Sequence, residues 1–340
     1  MKKKILLVVA DILAAALILL AVWIINYKIP QKGTKAVSVQ QLQQVQQGVA
    51  GQSDTAKKTD IITSKDDWHQ KFADKFTDRA IASKDSYTSP NLSIKLSHGS
   101  YDTGKLDTSN SGKHEKYGTS ISYVLADIYI GDITCFQTAF AQDTYGVGYE
   151  EKLSDMSARM KSVLAVNGDS YSNNRHKDNG TIIRNGVIYR NRQSDAETCV
   201  LNWDGSMDIY PPGQVDEQAL IKKGAYQSWI FGPSLLDENG KAKTSFYTWD
   251  YIRQSHPRTA IGYYEPGHYC LLVVDGRQSS SRGMFPDEMA AFFEKLGCKA
   301  AYNLDGGHCS FMTYRDQIVN NPYKPEHQVS DGIFITEGLA

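Results

Sequence analysis

The hydrophobic pattern begins with one long apolar run near the N-terminus. Residues 5–25 are apolar except for Asp11, and three lysines precede them. A run of this length can cross a bilayer as a helix, and the lysines favour a cytoplasmic N-terminus. We therefore expect residues 1–28 to form a membrane anchor that leaves the rest of the chain outside the cell. A cleaved signal peptide is the alternative, but the run is long for one and no small-residue cleavage site follows it.

A polar segment follows the apolar run. Residues 29–65 are rich in Gln, Lys, Ser and Thr, which is typical of a solvated linker. A short amphipathic helix is the alternative, because apolar residues recur there at roughly helical spacing. These residues are Val39, Leu42, Val45 and Val49. We interpret residues 29–65 as a stalk and residues 66–340 as a single large domain.

Three helices are predicted within that domain. An aromatic stripe with spacing i, i+4 and i+8 predicts the first over residues 66–77. The stripe is Trp68, Phe72 and Phe76. Residues 150–162 and 286–297 predict two more helices, each of which leads into an apolar strand. The last has a proline at its start and a glycine at its end, as helix termini prefer.

Strand patterns fill much of the remaining domain. Residues 121–130 alternate, so that every second side chain is apolar and faces one side. Residues 182–190 and 199–210 predict hairpins that turn at Asn185-Gly186 and Asp204-Gly205. This order of helices and strands predicts an α+β fold, in which a mixed β-sheet carries helices packed on it.

Composition and charge narrow the class of function. The chain is 41% hydrophobic and 11% aromatic, which is enough for a sizeable core. Its formal net charge is −1 and no basic stripe crosses the domain, so we expect no nucleic-acid partner. The 5 cysteines have neither zinc-site spacing nor a disulfide pattern. Cys199 and Cys270 lie inside apolar runs and are expected to be buried.

Three apolar strands end in polar residues next to glycine. Their exits carry Asn167 and Asp169, Asp275 and Arg277, and Asn303 and Asp305. A single Asp-Gly pair is an ordinary turn. Three such exits after buried-looking strands point to one shared cleft, because loops held by a rigid scaffold are where binding and catalysis concentrate.

Arginines accompany these carboxylates. Arg184, Arg258 and Arg277 could form structural ion pairs, or they could clamp an anion beside acid–base carboxylates, as in hydrolases. No cofactor is expected with certainty, and the aspartates leave a divalent cation open, although no EF-hand pattern is present. A Cys309–His308 nucleophile is disfavoured, because adjacent loop residues rarely face each other.

Six short motifs occur in a fixed order between residues 120 and 336. They are Val166–Tyr171, Arg184–Tyr189, Pro257–Gly262, Val274–Arg277, Asn303–Gly307 and Ser330–Ile333. As an ordered set they resemble the phosphodiester glycosidase domain family, including its bacterial, exopolysaccharide-biosynthesis-like branch. The resemblance implies a carbohydrate-phosphate substrate and hydrolysis of a sugar-1-phosphodiester at the glycosidic C–O bond.

The resemblance also implies roles for individual residues. The leaving group would be a phosphate monoester, a weak base, so charge stabilisation matters more than a strong general acid. Asp305 and Asp275 would stabilise the oxocarbenium-like centre or activate water. Arg258 and Arg277 would clamp the phosphate. The other expected substrate contacts are Asn167, Asp169, Arg184, Asn303, Gly306, Gly307 and Ser310.

These features predict a membrane-anchored extracellular hydrolase that acts on a phosphodiester-linked glycan or polymer of the cell envelope. One alternative is a non-catalytic glycan-binding domain on the same fold. Another is a metal-dependent phosphodiesterase with its metal on Asp169, Asp275 and Asp305. Only the glycosidase requires carboxylates and arginines to converge within a few ångströms.

Overall fold

The structure is a computed structural model that describes residues 2–27, 29–46, 57–109, 112–173 and 178–339. In this part of the chain the helices are α1 (Lys2–Tyr27), α2 (Val39–Gln46), α3 (Trp68–Lys71), α4 (Leu153–Met160), α5 (Glu217–Lys223) and α6 (Pro286–Leu296). The strands are β1 (Thr34–Lys35), β2 (Lys57–Lys58), β3 (Ile81–Ala82), β4 (Ser86–Thr88), β5 (Leu92–Asp102), β6 (Ser120–Ile130), β7 (Phe136–Phe140), β8 (Thr144–Tyr145), β9 (Glu151–Lys152), β10 (Leu164–Asn167), β11 (Ile182–Arg184), β12 (Val187–Arg190), β13 (Thr198–Asn202), β14 (Met207–Tyr210), β15 (Ala225–Trp229), β16 (Arg258–Glu265), β17 (His268–Val274), β18 (Ala300–Asn303), β19 (Met312–Tyr314), β20 (Gln317–Ile318), β21 (Gln328–Val329) and β22 (Asp331–Ile335).

Two sheets share the main hydrophobic core. The larger has seven strands in the order β18-β16-β17-β6-β5-β4-β3, and the second has five in the order β20-β19-β10-β22-β7. Their pairings are antiparallel. The alternation predicted for residues 121–130 is confirmed, because Val124, Ala126, Ile128 and Ile130 all point into this core. The α+β class is confirmed by strands that carry a few packed helices.

Helices cover the outer faces of both sheets. In α6, Met289 and Phe293 pack on apolar residues of β16 and β17. In α4, Leu153 and Met156 pack against strands of the five-stranded sheet. The predicted termini of α6 are confirmed, since Pro286 begins it and Gly297 ends it in the left-handed conformation that suits glycine.

The first predicted domain helix is much shorter than expected. Instead of covering residues 66–77, α3 is a single turn that Asp67 caps. Trp68 and Phe72 are buried as predicted, but Phe72 has left the helical conformation and packs its ring edgewise on Tyr129. Short isolated helices are marginal, so aromatic burial against the sheet decides the conformation here.

The segment predicted to be a stalk is attached to the domain at several points in its described part. Strand β1 pairs with β8, and β2 pairs with β12. Val39 and Leu42 on α2 are 1% and 4% exposed and belong to the main core. The amphipathic-helix alternative therefore describes this part better than a solvated linker. Residues 47–56 lie outside the described residues. We call residues 29–42 the strap.

Helix α1 stands apart from that core. Residues 4–25 form an apolar stretch long enough to cross a bilayer, and the domain covers none of it. A signal sequence near the N-terminus has the same properties, so length and composition support either role.

Candidate active site

The strand exits that we expected to share a cleft meet where the two sheets approach each other. Asn167, at the end of β10, donates its Nδ2 proton to the backbone oxygen of Asp305 at 2.7 Å. Thr259 on β16 donates to Oδ1 of the same asparagine at 2.6 Å. The backbone N–H of Asp305 donates to the oxygen of Gly168 at 3.1 Å. The exits of β10 and β18 are therefore joined, and Asn167 holds the backbone of Asp305 in place.

The carboxylate of Asp305 lies at the centre of this junction and is partly exposed. Its Oδ2 accepts a hydrogen bond from Ser170 Oγ at 2.7 Å, and its Oδ1 accepts one from the N–H of Gly306 at 2.8 Å. Burial raises the pKa of Asp305, while Ser170 and the thiol of Cys309 oppose the rise. A raised pKa brings a carboxyl group closer to the range in which it can exchange a proton during a reaction.

Asp305 lines a cavity of about 290 Å³. The other lining residues include Glu150, Ser170, Ser172, Asn173, Cys309 and His327. Glu150 supplies a second carboxylate, which sequence reasoning assigned only to the start of a helix. Burial raises the pKa of the Cys309 thiol well above its usual value, so the sulfur stays protonated and is a poor nucleophile.

Arg277 lies against the Gly306-Gly307 turn. A Cβ atom added at Gly307 would lie 3.2 Å from Arg277 Nη2, so the guanidinium packs directly on this turn. Its Nη1 donates to the hydroxyl of Tyr323 at 2.7 Å. The backbone of Arg277 has a φ of +59°, which is uncommon outside glycine and tends to occur at functional sites. The fold therefore brings Arg277 beside the loop that carries Asp305.

His256 supports this arginine. Burial, together with Arg258 and Arg277, lowers the pKa of His256 to about 3, so the ring is neutral. Its Nε2–H donates to the backbone oxygen of Tyr251 at 2.6 Å. That leaves Nδ1 as the acceptor facing Arg277 Nη2 at 3.4 Å. Sequence reasoning missed this contact, because nothing local distinguishes His256 from an ordinary loop residue.

Arg258 lies near His256 and Arg277 but is almost completely buried. Its Nε donates to the backbone oxygen of Met284 at 3.0 Å, and its Nη2 donates to the carbonyls of Ile252 and Gln254. Burial and the neighbouring Arg277 lower the pKa of Arg258 to about 9. The two arginines that were predicted to clamp phosphate therefore lie close together. The hydrogen bonds of Arg258, however, go to backbone carbonyls, so Arg258 stabilises the loop that precedes His256.

Asp169, Arg184 and Asp331 form a buried charged group behind Asp305. Arg184 Nε donates to Asp331 Oδ2 at 3.1 Å, while Asp169 accepts from the N–H groups of Ile230 and Phe231 at 2.6 and 3.1 Å. Burial raises the pKa of both carboxyls, and Arg184 opposes the rise. These contacts are internal, so they indicate a supporting role. Sequence reasoning missed Asp331, although it lies inside the quoted motif Ser330–Ile333.

The carboxylate of Asp275 binds hydrogen-bond donors other than those that bind Asp305. Its Oδ1 accepts from Asn320 Nδ2 at 3.0 Å and from the N–H of Asn321 at 2.9 Å, and its Oδ2 accepts from Ser122 Oγ at 3.1 Å. The side chain is buried, and burial raises its pKa. This geometry favours a role in fixing the 320–321 loop over the predicted role as a second catalytic carboxylate.

The other residues that were predicted to contact substrate lie in or near the Gly306-Gly307 turn. Gly306 and Gly307 form it, and buried Ser310 follows it. Asn303 is buried and donates to the oxygen of Gly232 at 2.7 Å. Asn303 Oδ1 and Ser310 Oγ find no hydrogen-bond partner among the described residues, so each has an acceptor or donor to spare.

No three His, Cys, Asp or Glu side chains of the described residues are grouped so that they could hold a metal ion. Asp169, Asp275 and Asp305 in particular bind different hydrogen-bond donors. The metal set expected for a phosphodiesterase is therefore not assembled in this part of the chain, and the divalent cation stays a prediction.

Comparison with known proteins supports the resemblance seen in the motifs. The family model for phosphodiester glycosidase matches residues 160–336. The SPbeta prophage-derived uncharacterized protein YomE of Bacillus subtilis (strain 168) is 33% identical over 193 residues. That match covers 56% of this chain but only 29% of YomE, so the chain spans less than a third of that relative.

A solved structure shares the fold. The catalytic domain of zebrafish N-acetylglucosamine-1-phosphodiester alpha-N-acetylglucosaminidase, auto-inhibited by its pro-peptide, superimposes with a TM-score of 0.52 and 18% identity. The match covers 73% of this chain and 89% of the zebrafish domain. At this identity the likeness concerns the fold, whereas the family model covers more than half of the sequence and includes the strand exits around Asp305. The chain belongs to the phosphodiester glycosidase family.

Proposed function

We propose that this protein hydrolyses a sugar-1-phosphodiester at the glycosidic C–O bond. The observation that carries the proposal is that Asp305 and Arg277 both contact the Gly306-Gly307 turn. A carboxylate and a guanidinium so placed can act on the sugar carbon and on the phosphate of the same substrate.

The chemistry divides between these two groups. A water oxygen attacks the anomeric carbon, the bond from that carbon to the phosphate oxygen breaks, and the phosphate monoester leaves with the electron pair. Arg277 stabilises the negative charge on the departing phosphate. Asp305 stabilises the oxocarbenium-like centre or accepts the proton from water, and Glu150 is the other carboxylate at the cavity.

We infer that α1 stays in the cytoplasmic membrane and that the domain faces outward, where it acts on an envelope glycan or polymer. The length and apolar character of α1 and the lysines before it support this orientation.

The test is a product assay with the full-length protein and a synthetic sugar-1-phosphodiester, with and without a chelator. We expect the products to be free sugar and a phosphate monoester. Asp305→Asn is expected to lower turnover by on the order of 10²-fold or more while leaving the melting temperature nearly unchanged. Exposed Asp74→Asn is the matched control and is expected to leave turnover unaltered.

Each of the other possible product patterns would indicate a different function for this protein. Sugar phosphate with loss of activity in chelator would indicate the metal-dependent phosphodiesterase. Tight binding of the substrate without any product would indicate the non-catalytic glycan-binding domain. Full activity of Asp305→Asn would show that the proposed catalytic centre is wrong.

A further inference from the structure

The strap touches the rim of the cavity that contains Asp305. Gln31 donates its backbone N–H to the oxygen of Val147 at 3.0 Å. A Cβ atom added at Gly148 would lie 3.0 Å from the Cα of Pro30. Val147 and Gly148 both line the cavity. The chain therefore enters the domain directly beside the opening of the candidate active site.

Helix α1 ends only four residues before this contact. It extends to Tyr27, and Gln31 is bonded to the rim. Four residues span at most about 14 Å when fully extended. A free linker of about 35 residues would instead separate its ends by roughly 30–35 Å on average. The cavity rim is thus tied within about 14 Å of the end of α1, whichever way the helix points.

The strap is attached along its length, so this distance does not depend on one hydrogen bond. The N–H of Ala36 donates to the oxygen of Asp143 at 2.8 Å, and the N–H of Val37 donates to the hydroxyl of Tyr189 at 2.8 Å. Val39 and Leu42 are buried in the main core. Although this polar segment is long enough to act as a spacer, these hydrogen bonds and buried side chains attach it to the domain.

We propose that the strap holds the active-site cavity at the bilayer surface and that the substrate is a glycosyl phosphodiester itself held in that membrane. The proposal rests on the proposed function and on α1 as an anchor. Its chemistry fits two sources: a phosphodiester-linked glycolipid and the membrane-anchored end of a glycosyl phosphate polymer. Enzyme and substrate confined to one surface meet at a high effective concentration, whereas a soluble phosphodiester reaches the cavity only at its bulk concentration.

The experiment compares three substrates that carry the same sugar-1-phosphodiester. One is linked to a short soluble alcohol, one to a dialkyl lipid, and one to a lipid-anchored polymer chain. The lipids are placed in phosphatidylglycerol–phosphatidylcholine vesicles that contain the full-length protein. We expect at least a tenfold higher rate on one membrane-held substrate than on the soluble one at equal bulk concentration. The faster of the two lipid substrates identifies the source.

Two insertion variants test whether a preference for membrane-held substrate comes from the position of the cavity or from recognition of the substrate's lipid. Twenty Gly/Ser residues placed between residues 28 and 29 leave the strap docked but separate it from the end of α1 by a flexible linker with an average span of roughly 25 Å. The same insertion between residues 50 and 51 is the matched control, because the strap still enters at the rim. We expect the first insertion to lower the membrane-held rate at least fivefold without changing the soluble rate, and the second to change neither.

The outcomes are distinct. Equal rates on soluble and membrane-held substrates would overturn the inference, as would a membrane preference that survives the first insertion. Protein that fails to float with the vesicles would overturn it as well, because the anchor would be missing. Failure to hydrolyse even the soluble substrate would instead refute the proposed function.

Discussion

Gly307→Ala is the smallest change that tests whether Arg277 acts on substrate. A methyl group at this position would lie 3.2 Å from Nη2 and 3.4 Å from Nη1 of Arg277. Carbon atoms normally keep a separation of about 3.5–4.0 Å from their neighbours. The guanidinium must therefore move by a few tenths of an ångström, while Asp305, which precedes the turn, keeps its hydrogen bonds to Ser170 and Gly306.

Two magnitudes follow from this geometry. The φ of Gly307 is +69°, and an alanine held in the left-handed region lowers the free energy of unfolding by about 1–2 kcal/mol. A misplacement of about 1 Å at a catalytic group can cost about 10²-fold in rate, so a shift of a few tenths predicts a loss of roughly 3- to 10-fold in kcat/KM.

Gly297→Ala is the matched control. Its φ is +81°, and apart from its own chain neighbours no atom of the described residues lies within 4 Å of the added methyl group. It should therefore lower the free energy of unfolding by a similar amount, about 1–2 kcal/mol, without changing kcat/KM. The measurements are urea denaturation and kcat/KM on a soluble sugar-1-phosphodiester. If Gly307→Ala loses stability as the control does but keeps the wild-type kcat/KM, Arg277 is not a substrate contact.

Two further variants test the supporting groups. Arg184→Met leaves Asp169 and Asp331 buried without their cation, so the free energy of unfolding should fall by about 3–5 kcal/mol at pH 7.5. Burial raises the pKa of both carboxyls above the ordinary 3.8, so the folded protein binds more protons than the unfolded chain and their contribution to stability falls as pH rises above about 4. The loss measured by urea denaturation should accordingly be smaller at pH 5, and equal losses at both pH values would contradict this account. Asp275→Asn should cost about 1–3 kcal/mol of stability and leave kcat/KM within a few-fold, because its carboxylate binds Asn320, Asn321 and Ser122; loss of activity with unchanged stability would restore its predicted catalytic role.

Local sequence patterns predicted the elements whose conformation depends on near neighbours. The hairpin at Asn185-Gly186 forms because both residues adopt positive φ, at 52° and 78°, as its turn type requires. Helix α6 begins at Pro286 and ends at Gly297 for equally local reasons. The position of Asp305 at a strand exit followed in the same way, from an apolar run that stops at two glycines.

Burial and long-range partners were decided only by the tertiary structure. Asp275 and Asp305 look alike in sequence, yet one binds Asn320, 45 residues away, and the other faces a cavity. His256 became a partner of Arg277 in the same manner. Hydrogen bonds between distant residues depend on how the sheets pack, which no local window of sequence contains.

The strap shows that the hydrophobic pattern is subject to the same limit as a predictor of tertiary contacts. A polar composition determined that residues 29–65 could not form a core of their own. Whether Val39 and Leu42 would find an apolar surface depended on the sheets built by residues far along the chain. Two buried side chains and a few backbone hydrogen bonds hold this expected spacer on the domain beside the cavity that contains Asp305. The free energy of burial comes from the surface that receives a side chain as much as from the side chain itself.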